Sequence, residues 1–118
     1  HKTAWVCDNT VIEEGTVIMP KSIIMPNSRV GFGCIINTSS SVDHDCIIEK
    51  GVHIAPGCNL AGNITIREKT MIGIGSNIIQ GISIGSDVIV GAGSSVIKDI
   101  ESNQIVVGNP AYPIHRNK

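Results

Sequence analysis

An imidazole flanked by carboxylates is a ready proton acceptor, and this chain holds one in the run Val42-Asp43-His44-Asp45-Cys46. Imidazole changes charge at about pH 6.5, so it can take a proton near neutral pH. A neighbouring carboxylate favours the imidazolium that results. That pairing suits proton transfer by general-base catalysis. His53 follows in the same half of the chain and Asn37 precedes both. The plain alternative for His44 is a solvated turn residue, since polar groups are ordinary in turns; for His53 it is a satisfied interface histidine. His1 and His115 lie near the chain ends and read as surface groups. The four cysteines form no C-x-x-C pair, and Cys34, Cys46 and Cys58 read as small buried fillers in a reducing compartment.

The elements that must position these groups follow from a period of six. Every sixth residue from Val6 to Val96 is Val, Ile or Leu, without a miss. Helices repeat near 3.6 residues and strands near 2, so neither explains it. A hexapeptide period predicts an all-β parallel β-helix solenoid, with one short strand and one turn per unit. The fourth position of the unit is rich in Gly, Asn and Asp, which tolerate the positive φ of a tight corner. Three units make a triangular coil of 18 residues, and stacked coils pair as parallel strands about 4.8 Å apart. The repeat predicts a β-helix domain over 1–100 and a short C-terminal cap or tail over 101–118, where the period dissolves.

Residues 18 apart form outward columns. The column Val17, Ile35, His53, Met71, Ile89 is apolar except for His53, whereas the equivalent columns on the other two faces are mixed or polar. A contiguous exposed apolar stripe marks an interface, so a homo-oligomer is expected. Asn37 lies on the His53 face, and Ala55, Gly73 and Gly91 continue it as a smooth strip where a narrow ligand could approach the backbone. Above His44 in its own column stands Gly62, read here as leaving room for a ligand. His44 is half a coil from His53, which puts its corner opposite the His53 face of the same prism. The two meet only if they come from different subunits, so the site is expected between subunits.

Composition removes other classes. A net charge of -1 and three aromatic residues, Trp5, Phe32 and Tyr112, offer no nucleic-acid footprint. No apolar run is long enough to span a membrane, and no signal-peptide pattern is present, so the expected location is the cytoplasm.

The segments Ile36-Asn37-Thr38, Val42-Asp43-His44-Asp45-Cys46, Val52-His53-Ile54-Ala55-Pro56-Gly57 and Leu60-Ala61-Gly62-Asn63 are more specific than the repeat. With the closing Val107-Gly108-Asn109-Pro110-Ala111, they resemble the hexapeptide-repeat sugar acetyltransferases of the sialic acid O-acetyltransferase and UDP-4-amino-sugar N-acetyltransferase type. The resemblance implies a left-handed helix and a homotrimer with inter-subunit sites. It also implies acetyl-CoA as co-substrate with no metal, and a sugar or nucleotide-sugar acceptor attacked through an amine or hydroxyl. It makes His44 the general base and Asp45 the adjacent acid, at a position where some members carry Glu. His53, Ile74 and Ala92 match positions that contact acetyl-CoA, with Gly73 and Gly91 beside them, and Asn37 matches a polar residue near the acceptor, with Gly62 on the substrate side. Lys98, Arg116 and Lys118 are candidates for the CoA phosphates. An N-terminal nucleotide-sugar-binding domain is expected to precede a β-helix of this kind.

The chemistry is consistent with direct attack in a ternary complex, the oxyanion being stabilised by a strand or corner N–H or by His53. No cysteine sits where an acyl-enzyme would need it. Two rival readings remain. A zinc carbonic-anhydrase-like β-helix needs three convergent imidazoles and an open position, and only His44 and His53 lie within the repeat. A non-catalytic trimeric scaffold would have no use for Asn37, His44 and His53 beside a strip of small residues.

Overall fold

The computed structural model describes residues 1–116. Sixteen two-residue strands, from Trp5–Val6 to Ser95–Val96, recur every six residues, and no helix occurs among the described residues. They stack into three parallel sheets. The first sheet joins the strands beginning at 5, 23, 41, 59, 77 and 95; the second joins those at 11, 29, 47, 65 and 83; the third joins those at 17, 35, 53, 71 and 89. Partners are 18 residues apart throughout this region, as in Ile35 with His53 and His53 with Met71.

The aliphatic row points inward and forms a dry core. Ile36, Ile54, Ile66 and Ile72 are fully buried, whereas Val6 in the first coil remains 43% exposed because it packs against a coil on one side only. The residue immediately before each strand is buried along most of the prism, and where it is Ser, Thr or Cys its side chain ties corners together. Ser40 Oγ donates to the Ala55 carbonyl at 2.7 Å and accepts from the Cys58 N–H at 3.2 Å. Cys58 repeats the donation one coil higher, its Sγ lying 3.1 Å from the Gly73 carbonyl. Cys34, Cys46 and Cys58 thus occupy serine positions, and they and Cys7 are free thiols. Burial, which disfavours the thiolate, raises the Cys34, Cys46 and Cys58 pKa above the ordinary thiol value.

Each corner needs a residue at positive φ, and every Gly, Asn or Asp of the fourth position from Gly15 to Gly93 adopts it. Lys21 (φ 60°), Ser39 (φ 58°) and Lys69 (φ 60°) do so as well, although their side chains disfavour that conformation. Coil geometry overrides residue preference there.

Past Val96 the chain keeps to the prism with a shortened step. Ile100 bridges to Ile84, and strand Gln104–Gly108 pairs in parallel with strand Ile89–Val90 at a spacing of 16 residues. Strand Ala111–Arg116 then folds back antiparallel on Gln104–Gly108 at the edge of the third sheet. The cap is therefore a hairpin that extends one face.

The outward columns differ as their composition predicts. On the third face Val17, Ile35 and Met71 are exposed at 49%, 37% and 43%. The first face instead carries a polar ladder, Ser41 Oγ donating to Asn59 Oδ1 and Asn59 Nδ2 to Asn77 Oδ1, each at 3.0 Å.

Two outcomes follow from this packing. Ile54→Ala, which empties a fully buried position, is expected to destabilise the chain by about 2–5 kcal/mol in denaturant titration. Alkylation of the native protein should label Cys7, which is only partly buried, well before the other three thiols, as read by peptide mass spectrometry.

Candidate functional site

His44 projects from the corner between strands Ser41–Val42 and Ile47–Ile48, that is, between the first and second sheets. Its backbone is fixed on three sides. The His44 N–H donates to Asp43 Oδ1 at 2.8 Å, the His44 carbonyl accepts from the Asn63 N–H at 2.9 Å, and the following Asp45 N–H donates to the Pro26 carbonyl at 3.1 Å. Asp45, at φ 57°, sets its Oδ2 2.9 Å from His44 Nδ1. The shorter acid therefore reaches the ring, and both side chains are about half exposed.

Gly62, one coil further on in the same column, is buried against that ring. A Cβ built on Gly62 would stand 2.5 Å from both His44 Cε1 and Nε2. The bare Cα makes room for the imidazole itself, which corrects the expectation that Gly62 leaves free space for a ligand beside the ring.

His53 lies on the third sheet between Ile35 and Met71, and its Nε2 is 3.4 Å from Asn37 Nδ2. The corner that follows this sheet carries Ala55, Gly73 and Gly91, with exposed Ile74 and Ala92 beside them. Gly73 has a packing reason of its own. A Cβ there would come within 2.5 Å of the Val90 carbonyl and 2.7 Å of the Ala92 nitrogen, both backbone atoms of the next coil. Gly91 is similarly crowded by the Val107 side chain. The strip is smooth because the coils press closely at this corner, whatever lies on it.

Asn37, His53, Gly73, Ile74, Gly91 and Ala92 thus share one edge, while His44, Asp45 and Gly62 share the corner opposite the third sheet. The prism lies between the two groups, and within one chain they do not meet. A cavity of about 340 Å³ on the second sheet, lined by Val11, Arg29, Ile47 and Lys50, contains neither histidine. Among the described residues no three His, Cys, Asp or Glu side chains are grouped to hold a metal, and no helix is long and apolar enough to cross a membrane. Lys98 is exposed in the His44 column three coils on; Lys118 lies outside the described residues.

Two residues of this region carry functions that motif reading missed. Asp43 pins the His44 backbone, and Thr38 pins Asn37 by donating its N–H to Oδ1 at 2.8 Å. Asn37 and Asp43 occupy the same position of the hexapeptide, which is the signal that could have exposed the shared turn.

Gly62→Ala is expected to keep the coil intact but swing the imidazole off Asp45, visible in a crystal structure of the variant. Gly73→Ala should instead strain the stack and lower stability by about 1–3 kcal/mol in thermal melts, since its clash is with backbone.

No protein-family model matches the chain. It is 36% identical over 73 residues to GDP-perosamine N-acetyltransferase of Escherichia coli, a stretch that is 62% of this chain and 33% of that protein. Among solved structures it superposes with a TM-score of 0.96 on the acetyltransferase domain of PglB from Neisseria gonorrhoeae in complex with acetyl coenzyme A. The identity is 40%, over 97% of this chain and 56% of that one. A histidine-to-alanine variant of GDP-perosamine N-acetyltransferase from Caulobacter crescentus, in complex with CoA and GDP-perosamine, superposes with a TM-score of 0.95 at 34% identity. That match covers 98% of this chain and 55% of the other. The chain spans little more than half the length of these solved relatives and about a third of the curated one. Its fold is the left-handed β-helix of these hexapeptide-repeat acetyltransferases.

Proposed function

We propose that this chain is the catalytic β-helix of an acetyl-CoA-dependent N-acetyltransferase acting on a nucleotide-linked amino sugar. The observation that carries the reading is the His44–Asp45 pair at 2.9 Å, set opposite a second polar pair, Asn37 and His53, on the same scaffold. The similarity to a domain bound to acetyl coenzyme A and to an enzyme bound to GDP-perosamine supports the choice of donor and acceptor.

In this reading the reaction needs one proton acceptor and one oxyanion donor. His44 Nδ1–H donates to Asp45 Oδ2, which leaves the Nε2 lone pair to take a proton from the attacking amine. The amine nitrogen bonds to the thioester carbonyl carbon and the carbonyl electrons move to oxygen. When the tetrahedral intermediate collapses, the C–S bond breaks and the CoA thiolate takes the proton held on His44. The imidazole ends neutral, and the products are the amide and CoA thiol. Asp45 stabilises the transient imidazolium. His53 and the exposed backbone along Gly73, Ile74, Gly91 and Ala92 hold the acyl donor. Asn37 stays beside His53, and Gly62 acts on the acceptor side only by seating His44.

Because the His44 corner and the His53 face lie on opposite sides of one prism, the active centre in this reading joins two subunits of a homotrimer. The exposed apolar column Val17, Ile35 and Met71 supplies an assembly surface continuous with His53. The reading also includes a nucleotide-sugar-binding domain N-terminal to the β-helix, supported by the greater length of the solved relatives. Free thiols and metabolite substrates favour the cytoplasm as its location.

With GDP-perosamine as the acceptor probed, His44→Ala is expected to reduce kcat by about 10²–10⁴-fold without dissociating the oligomer in light scattering. Mixed oligomers of His44→Ala and His53→Ala subunits, refolded together, should regain about a quarter of the wild-type activity lost by each alone, as a cyclic interface predicts. Absence of any recovery would count against a site shared between subunits. Calorimetry showing no acetyl-CoA binding by the wild type would favour a scaffold.

A further inference from the structure

Asn37 closes the strand Ile35–Ile36 and begins the corner that leads to Ser41–Val42. Its Oδ1 is held by Thr38, whose N–H donates to it at 2.8 Å and whose hydroxyl lies 3.3 Å away. An amide held in this way has one orientation, because turning it over would set its NH₂ against the Thr38 N–H. Nδ2 is therefore the atom directed at His53 Nε2, 3.4 Å away in the next coil.

An amide nitrogen donates and does not accept. The contact is a hydrogen bond only when Nε2 offers its lone pair, which leaves the ring proton on Nδ1. In a neutral imidazole the bond made by one nitrogen decides which nitrogen carries the proton. No competing partner comes from the sheet itself, since Ile35 and Met71 flank His53 in register. Among the described residues, Nδ1 has no hydrogen-bond partner.

We infer that Asn37 is a positioning residue that selects the Nδ1–H tautomer of His53, leaving that ring a fixed N–H donor for a carbonyl oxygen bound on this face. The identity of that carbonyl, the thioester or an amide of the acyl donor, rests on the acetyl-CoA reading above; the tautomer does not. The two histidines then have the same tautomer and opposite chemistry. His44 gives its Nδ1–H to Asp45 and keeps a free acceptor at Nε2. His53 has its acceptor engaged by Asn37 and keeps a free donor. His53 is thereby unavailable as a second base and suited to a developing oxyanion.

Long-range ¹H–¹⁵N spectra of the ¹⁵N-histidine-labelled protein test this directly, with His53 assigned from its absence in His53→Gln. The wild type should show His53 protonated at Nδ1 and unprotonated at Nε2 where the ring is neutral. Asn37→Asp offers a second carboxylate oxygen to Nε2, and should move the proton to Nε2 with the matching exchange of the two ¹⁵N shifts. Asn37→Leu should release the bias. A wild-type ring protonated at Nε2, or an Asn37→Asp spectrum unchanged from it, overturns the proposal; if the variants fail to fold, the wild-type spectrum alone decides. Added acetyl-CoA should shift the His53 Nδ1–H signal. A ring with the expected tautomer that ignores acetyl-CoA defeats the acyl-donor reading and leaves the tautomer assignment standing.

Discussion

The corner is the constraint on which this structure depends. A chain that turns through three corners in 18 residues must reverse direction at positive φ, then bury a small side chain before the next strand begins. Where that residue is Ser or Thr it answers two backbone groups at once, as Ser40 does for the Ala55 carbonyl and the Cys58 N–H. Buried main-chain groups left without partners would be costly, and the corner hydroxyls and thiols supply part of what the short strands cannot. With every corner tied to those above and below, the coils cannot slip in register, and each outward side chain is locked into a column.

Column geometry is what turns a repeat into a possible site. Neighbours in a column stand about 4.8 Å apart on rigid strands, so contacts between coils are set by the scaffold and not by loop movement. Asn37 reaches His53 because it sits one coil earlier and two residues further along the strand, 16 residues away in the chain. The His44 ring packs against Gly62 because that residue, one coil further on in its column, lacks a Cβ. The same rigidity separates the two imidazoles, since a corner of a triangular prism cannot approach the face opposite to it. One chain therefore carries two separate polar pairs, His44 with Asp45 on a corner and Asn37 with His53 on a face.

The bland and functional readings of the small residues come apart on physical grounds. Gly73 and Gly91 satisfy the close approach of the next coil or of Val107, so packing alone accounts for them. Gly62 is different, since what a Cβ would meet there is a polar side chain and not the scaffold. Likewise Cys34, Cys46 and Cys58 do the structural task of serine, which agrees with their burial and raised pKa.

The period of six, the inward aliphatic row and the Gly, Asn and Asp corners were legible in the amino-acid order because each expresses a local requirement repeated at every turn. Columns could be read as well, since a register of 18 is fixed once the coil is known, and His44, His53 and Asn37 stood out in them. Residues that break the local rule were not legible. Lys21, Ser39 and Lys69 adopt positive φ because neighbouring coils impose it, not because their side chains favour it. The shortened step that carries Ile100 and Ile105 back onto the sheets is likewise set by contact with Ile84 and Ile89. Hydrogen-bond direction was hidden for the same reason. That Thr38 orients Asn37, and that the Gly62 space belongs to the His44 ring, depend on distances between atoms that only stacked coils bring together.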